Sequence, residues 1–288
     1  MDGFLTALRA EIYVALRSNS VRLILFLPAL TGAAQLLLMS LLSAGEQARE
    51  AVQSGGFGSS FAEASGAEAW GALVDAYSTG LTLTGLILIT YAAWSFAGDK
   101  DSGVLRHLLI RRISRPAVVL ANLAQVHLFA VACLALMLIV CTLVANLLWE
   151  FGPVVEDGYE LIGTAEILAE LRLGLTLAII PLPAAIALGL LISVLAGNST
   201  QAITAALGVS LALDIFKGVM GNASDYLYAS YLSSLLDESY LSDVSRLVRG
   251  FSDVMIDPAL LQLNQWVGWP QMLLFVALAL FFARRKPV

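Results

Sequence analysis

Charge is scarce in this chain. Only 13% of its 288 residues are Asp, Glu, Lys or Arg, about half the share found in soluble domains. Hydrophobic residues make up 59% and the mean hydropathy is +0.82. A large soluble domain is therefore excluded, and a membrane protein is expected. Histidine occurs only at 107 and 127, and cysteine only at 133 and 141. A metal centre needs three or four converging donors, which so sparse a set does not offer. Cys133 and Cys141 are eight residues apart in one apolar run. On a helix that is about 12 Å, beyond disulfide reach, so both are read as packing residues. No GxxxxGK[ST] loop is present, so the chain carries no P-loop of its own. GxSxG and HExxH are also missing, which argues against a membrane-embedded hydrolase. The basic residues sit at the ends of apolar runs without interleaved aromatics, which argues against nucleic-acid binding. The chain is expected not to be an enzyme.

What is present is a series of apolar runs. The reading is an all-α membrane protein, 1–288 forming a single transmembrane domain with six transmembrane helices. Residues 1–19 hold an amphipathic interfacial helix, with Phe4, Leu8, Ile12 and Leu16 spaced by four. Arg9, Arg17 and Arg22 precede a run too long and too late for a cleaved signal, so it is read as a retained span. Spans one and two occupy 20–97, separated by a polar loop from Gly45 to Glu68. A charged segment covers 98–115, and spans three to five fill 116–221. Pro181 and Pro183 predict a break in span four. Asn198 and Gln201 predict a capping box at the start of span five. Residues 222–262 form an outer amphipathic segment, surface-lying or re-entrant, before span six at 263–283.

The charges are segregated. With the N-terminus inside, the inner segments hold 11 of the 16 Lys and Arg and 4 acids, a sum of +7. The remainder is 5 − 18 = −13. This is the positive-inside pattern, and it places both termini in the cytoplasm.

The segment Asp99-Lys-Asp-Ser-Gly-Val-Leu-Arg-His-Leu-Leu-Ile-Arg-Arg-Ile-Ser-Arg115 stands between spans two and three. Val104, Leu105, Leu108 and Leu109 share one face of a short helix. Asp101 at its start and Arg111 and Arg112 at its end complement the helix dipole. A topogenic loop with orienting arginines explains the same residues equally well. The acidic cluster, the Ser-Gly-Val-Leu-Arg-His-Leu-Leu stretch and the following Ile-Ser-Arg resemble the permease subunits of ABC type 2 exporters. The likeness extends to the N-terminal helix, six spans and an amphipathic stretch before the last span. Arg112 departs from that pattern where Pro is frequent, and Asn122 where Lys is common.

The resemblance implies a coupling helix at 101–112 that docks on a separate cytoplasmic ABC ATPase, present in two copies and carrying ATP and Mg. It also implies a second copy of this chain, a bacterial inner-membrane location, and either export of a substrate or conformational work on a periplasmic protein. A secondary transporter or channel without an ATPase is the rival reading. It would need midplane charges and broken helices. Asp214 and Lys217 in span five are three residues apart, hence on one helix face. They mark a translocation path, a dimer seam or a structural ion pair, with Lys217 reaching outward to the interface.

Overall fold

The structure, a computed structural model, describes residues 2–53, 65–105, 113–156, 159–234, 239–250 and 258–285. Its helices are α1 (Asp2–Arg17), α2 (Asn19–Gln53), α3 (Ser65–Asp101), α4 (Arg115–Leu148), α5 (Thr164–Ile179), α6 (Leu182–Leu195), α7 (Ser199–Lys217), α8 (Tyr240–Leu247) and α9 (Pro258–Arg285). Counting α5 and α6 as one interrupted span, six helical units among the described residues are long and apolar enough to cross a membrane. The protein is a multi-pass helical membrane protein.

The helix ends follow local chemistry. Only Ser18 separates α1 from α2, and the Arg22 guanidinium donates to the Leu16 carbonyl at 2.8 and 3.0 Å. That contact satisfies a carbonyl that the end of α1 leaves without a helical partner. Pro116 stands in the first turn of α4, where a missing N–H costs nothing. The span-four break falls at Ile180–Pro181, as the two prolines predict. At the start of α7, Asn198 Oδ1 accepts from the Gln201 N–H at 2.8 Å. The Gln201 side chain returns to the Gly197 N–H at 3.2 Å, one residue earlier than a standard capping box.

Three expectations about boundaries change. The loop expected from Gly45 to Glu68 is shorter, because α2 runs on to Gln53 and α3 begins at Ser65. These helices have 35 and 37 residues, about 52 and 55 Å at 1.5 Å each. Both outreach a hydrocarbon layer of about 30 Å. The stretch after α4 contains a small antiparallel hairpin, β1 (Val154–Glu156) and β2 (Tyr159–Ile162), with an irregularity between Val154 and Val155. Between α7 and α9 the described residues of the amphipathic segment form two 3-10 turns, Gly221–Tyr226 and Tyr228–Ser230, and the two-turn α8.

Helix α3 packs against α2, α4, α6, α7 and α8. One apolar cluster joins α2, α3, α4, α5 and α8 through Leu36, Leu73, Met137, Ile167 and Leu241. A second joins α1, α4, α6 and α9, with Ala7, Val118, Leu190 and Ala279. Small residues permit the closest approaches. A Cβ on Gly189 of α6 would lie 2.4 Å from the Ile89 carbonyl oxygen of α3. This is the small-residue contact expected between helices in lipid, where packing replaces the hydrophobic effect. Cys133 and Cys141 are fully buried in α4.

Candidate functional site: polar junctions at the two ends of the bundle

Two groups of interacting polar side chains lie towards opposite ends of α7. One end carries α1, residues 98–105 and the starts of α4 and α7. Here the last turn of α3 is tied to its neighbours. Asp101 Oδ2 accepts from the Ser199 N–H at 2.7 Å and from the Ser199 hydroxyl at 2.5 Å. The carboxylate thus sits at the N-terminus of α7, where the backbone dipole favours negative charge. Asp99 Oδ2 accepts from Asn122 Nδ2 of α4 at 3.2 Å. One turn deeper, Gln125 donates to the Tyr91 hydroxyl at 2.8 Å, both being buried. Glu11 of α1 faces the same junction. Burial, and then the Asp99 carboxylate, push its pKa up to about 8 from an ordinary 4.5, so it holds a proton at neutral pH.

Gly103 turns the chain with φ +76°, a value glycine adopts freely. Two of the residues expected on the docking face can then be placed. Leu105 is 1% exposed and belongs to the apolar cluster that holds Ala7, Phe96 and Ile113, so the chain's own core covers it. Val104 is 41% exposed. Leu108, Leu109, Arg111 and Arg112 lie outside the described residues.

The opposite end holds Asp214 and Lys217. Lys217 Nζ lies 2.8 Å from Asp214 Oδ1 and donates to Ser234 Oγ at 2.8 Å. The expected outward reach of Lys217 is overturned: it is 5% exposed. The segment carrying Ser234 folds back over it and supplies an acceptor, so burial with partners replaces a reach for water. The only buried residues of α7 are Ala202, Ala206, Asp214 and Lys217. Sequence spacing gave the Asp214–Lys217 pairing but not its third member, Ser234.

Around this pair, α8 is pinned on two sides. Arg249 bridges to Asp75 of α3 at 2.5 Å, Ser245 donates to the same carboxylate at 2.6 Å, and Arg249 also meets the Ser245 hydroxyl. The Tyr240 hydroxyl donates to Glu170 of α5 at 2.5 Å. Burial first, and then the Glu170 contact, raise the Tyr240 pKa, so the phenol stays a donor.

Residues 36–236 match the model of a family described as a protein of unknown function, DUF2705. The match spans 201 of the 288 residues. The chain belongs to this family. Among curated proteins no sequence matches. The DUF2705 match takes in Asp99, Asp101, Asn122, Ser199, Asp214 and Lys217, and leaves out α1 with Glu11, α8 and α9.

Proposed function

We propose that the chain is the membrane subunit of an ATP-driven transporter, lying in a bacterial inner membrane with both termini in the cytoplasm. A pair of separate cytoplasmic ATPases drives it, and two copies of the chain form the membrane unit. The supporting observation is the junction at 98–105. A partner pressing on this segment would push, through Asp101, on the first turn of α7, and through Asp99 and Asn122 on α4. Its inner side, at Leu105, belongs to the apolar cluster that includes Ala7 of α1. The segment is therefore joined to three helices at once, which suits an element that receives mechanical work. The far end of α7 carries the buried Asp214–Lys217 pair, so movement of this helix reaches a polar patch at the opposite side. The exposed Val104 is the described apolar residue of the segment that a docking partner meets first.

The test is affinity purification of the full chain from its native membranes. A P-loop ATPase should co-purify with it. Val104→Asp and Leu108→Asp should each weaken that association by about thirtyfold, the ~2 kcal/mol of an interface hot spot, with membrane insertion unchanged. Purification without an ATPase would sink the proposal and favour a secondary transporter or channel.

A further inference from the structure

Helix α1 is covered on one side only. Ala7 is fully buried, and Phe4 and Leu8 pack beside it in the apolar cluster shared with α4 and α9. The stripe that begins at Phe4 does not keep to this side, because each step of four residues turns about 40° around a helix. Three steps on, Leu16 is 67% exposed. Leu5, Tyr13 and Val14 are 48–59% exposed. The described residues thus leave a second apolar strip of α1 bare.

Two arginines border this strip. Arg9 and Arg17 are exposed, and among the described residues neither is paired with a carboxylate. Glu11, the one acid between residues 3 and 17, is on the other side, at the junction with Asp99. All the charge on the bare side is therefore positive. The Arg17 guanidinium lies 5.1 Å from the centre of the Tyr13 ring, over its face. Such stacking occupies the flat of the guanidinium and leaves its N–H edge free, and that edge meets a phosphate in two parallel hydrogen bonds.

The depth of α1 follows from its neighbour. Its 16 residues make about 24 Å, and it is not among the helical units long and apolar enough to cross a membrane. One residue joins it to α2, and Arg22 ties the Leu16 carbonyl across the join. The bare apolar side chains of α2 begin directly after that tie, with Leu23 at 71% and Phe26 at 49% exposed. Since α2 is a span, these residues mark where the hydrocarbon begins, and α1 stands at headgroup level. A short helix with an apolar strip edged by arginine lies among headgroups, and basic residues beside a span attract anionic lipids.

We infer that the bare side of α1 is a binding surface for anionic phospholipid headgroups, with Leu5 and Leu16 set into the acyl boundary and Arg9 and Arg17 on the lipid phosphates. The other side of α1 shares its apolar cluster with Leu105, so a lipid that fixes α1 also fixes one wall of the 98–105 segment. The surface goes beyond the ATP-driven reading, because lipid binding is measured on this chain alone and stands or falls without any ATPase.

The experiment is native mass spectrometry of the full chain in detergent, titrated with phosphatidylglycerol and separately with phosphatidylcholine of the same acyl chains. Phosphatidylglycerol should bind saturably and more tightly. Arg9→Gln and Arg17→Gln should each weaken its binding about fivefold, and the double variant about 25-fold, with phosphatidylcholine binding unchanged. Glutamine is close to arginine in helix propensity and both side chains are exposed, so the variants keep the fold, as circular dichroism and Tm verify. Arg172→Gln, an exposed arginine on α5, serves as control and should bind phosphatidylglycerol as the parent does. Equal affinity for the two lipids, undiminished phosphatidylglycerol binding in the double variant, or an equal loss in Arg172→Gln overturns the inference. A double variant that changes the fraction of dimer and leaves lipid affinity untouched gives the strip to a second copy of the chain, and overturns it too.

Discussion

Neutralising Asp214 and Lys217 singly and together separates a structural ion pair from a working one. The side chains are 11% and 5% exposed respectively, so solvent screens their attraction little. Lys217→Gln leaves a carboxylate in a nearly dry place facing an amide and the Ser234 segment. Breaking a buried pair in this way costs about 3–5 kcal/mol. Asp214→Asn should cost less, about 2 kcal/mol, because Lys217 keeps Ser234 as an acceptor and gains the Asn carbonyl. In the double variant no charge is stranded, and stability should return to within about 1 kcal/mol of the parent. For chains of 150–250 residues 1 kcal/mol moves Tm by about 2–4 °C. Lys217→Gln should therefore fall by roughly 6–20 °C and the double variant by a few degrees. The assay is thermal unfolding in one detergent, with transport or ATPase stimulation measured on the same samples. A stable double variant that has also regained activity would make the pair purely structural. A stable but inactive one gives it a functional part. A double variant less stable than Lys217→Gln would refute the stranded-charge reasoning itself.

Two further perturbations follow from the packing and from the titration of α1. Gly189→Ala places a methyl 2.4 Å from a backbone oxygen of α3 and should lower Tm by several degrees, whereas Gly208→Ala, with open space around it, should be neutral or stabilising by about 0.5–1 kcal/mol in thermal melts. Glu11 binds its proton more tightly when folded than when unfolded, so between pH 4.5 and about 8 the folded state holds a proton the unfolded one lacks. Stability from this group is fully present below that window and declines as pH rises through it. Hydrogen exchange of residues 2–17 should therefore increase between pH 6 and pH 9 beyond the intrinsic rate change, and Glu11→Gln should abolish the increase; an equal response in both proteins would count against a neutral Glu11.

The spans were legible because a run of apolar residues 18 or more long admits few alternatives in water. The break at Pro181 and the cap at Asn198 were legible because each is a local covalent or hydrogen-bonding consequence of its own residues. Asp101–Ser199 was not, since its partners are 98 residues apart and nothing in either neighbourhood names the other. The same holds for Glu11 and Asp99, and for Ser234 over Lys217. The inward turn of Leu105 was hidden for a different reason. The helical pattern gives Val104 and Leu105 a common face, but it does not say which side of that face the chain itself covers; Ala7 and Ile113 decide it. The hairpin at Val154–Ile162 is short and sits in a stretch whose acids read as loop; Trp70, whose indole donates to the Gly152 carbonyl at 2.9 Å, holds its approach in place.

The way α7 is fastened limits how it can move. At its first residue Ser199 is held by Asp101, and at its last Lys217 is held by Ser234. Between those points its inward seam is two alanines and one aspartate, Ala202, Ala206 and Asp214, with little to interlock. A rod gripped at both tips by polar bonds and seated between them on small residues takes its position from its ends, so a displacement applied at Asp101 reaches α7 first through Ser199.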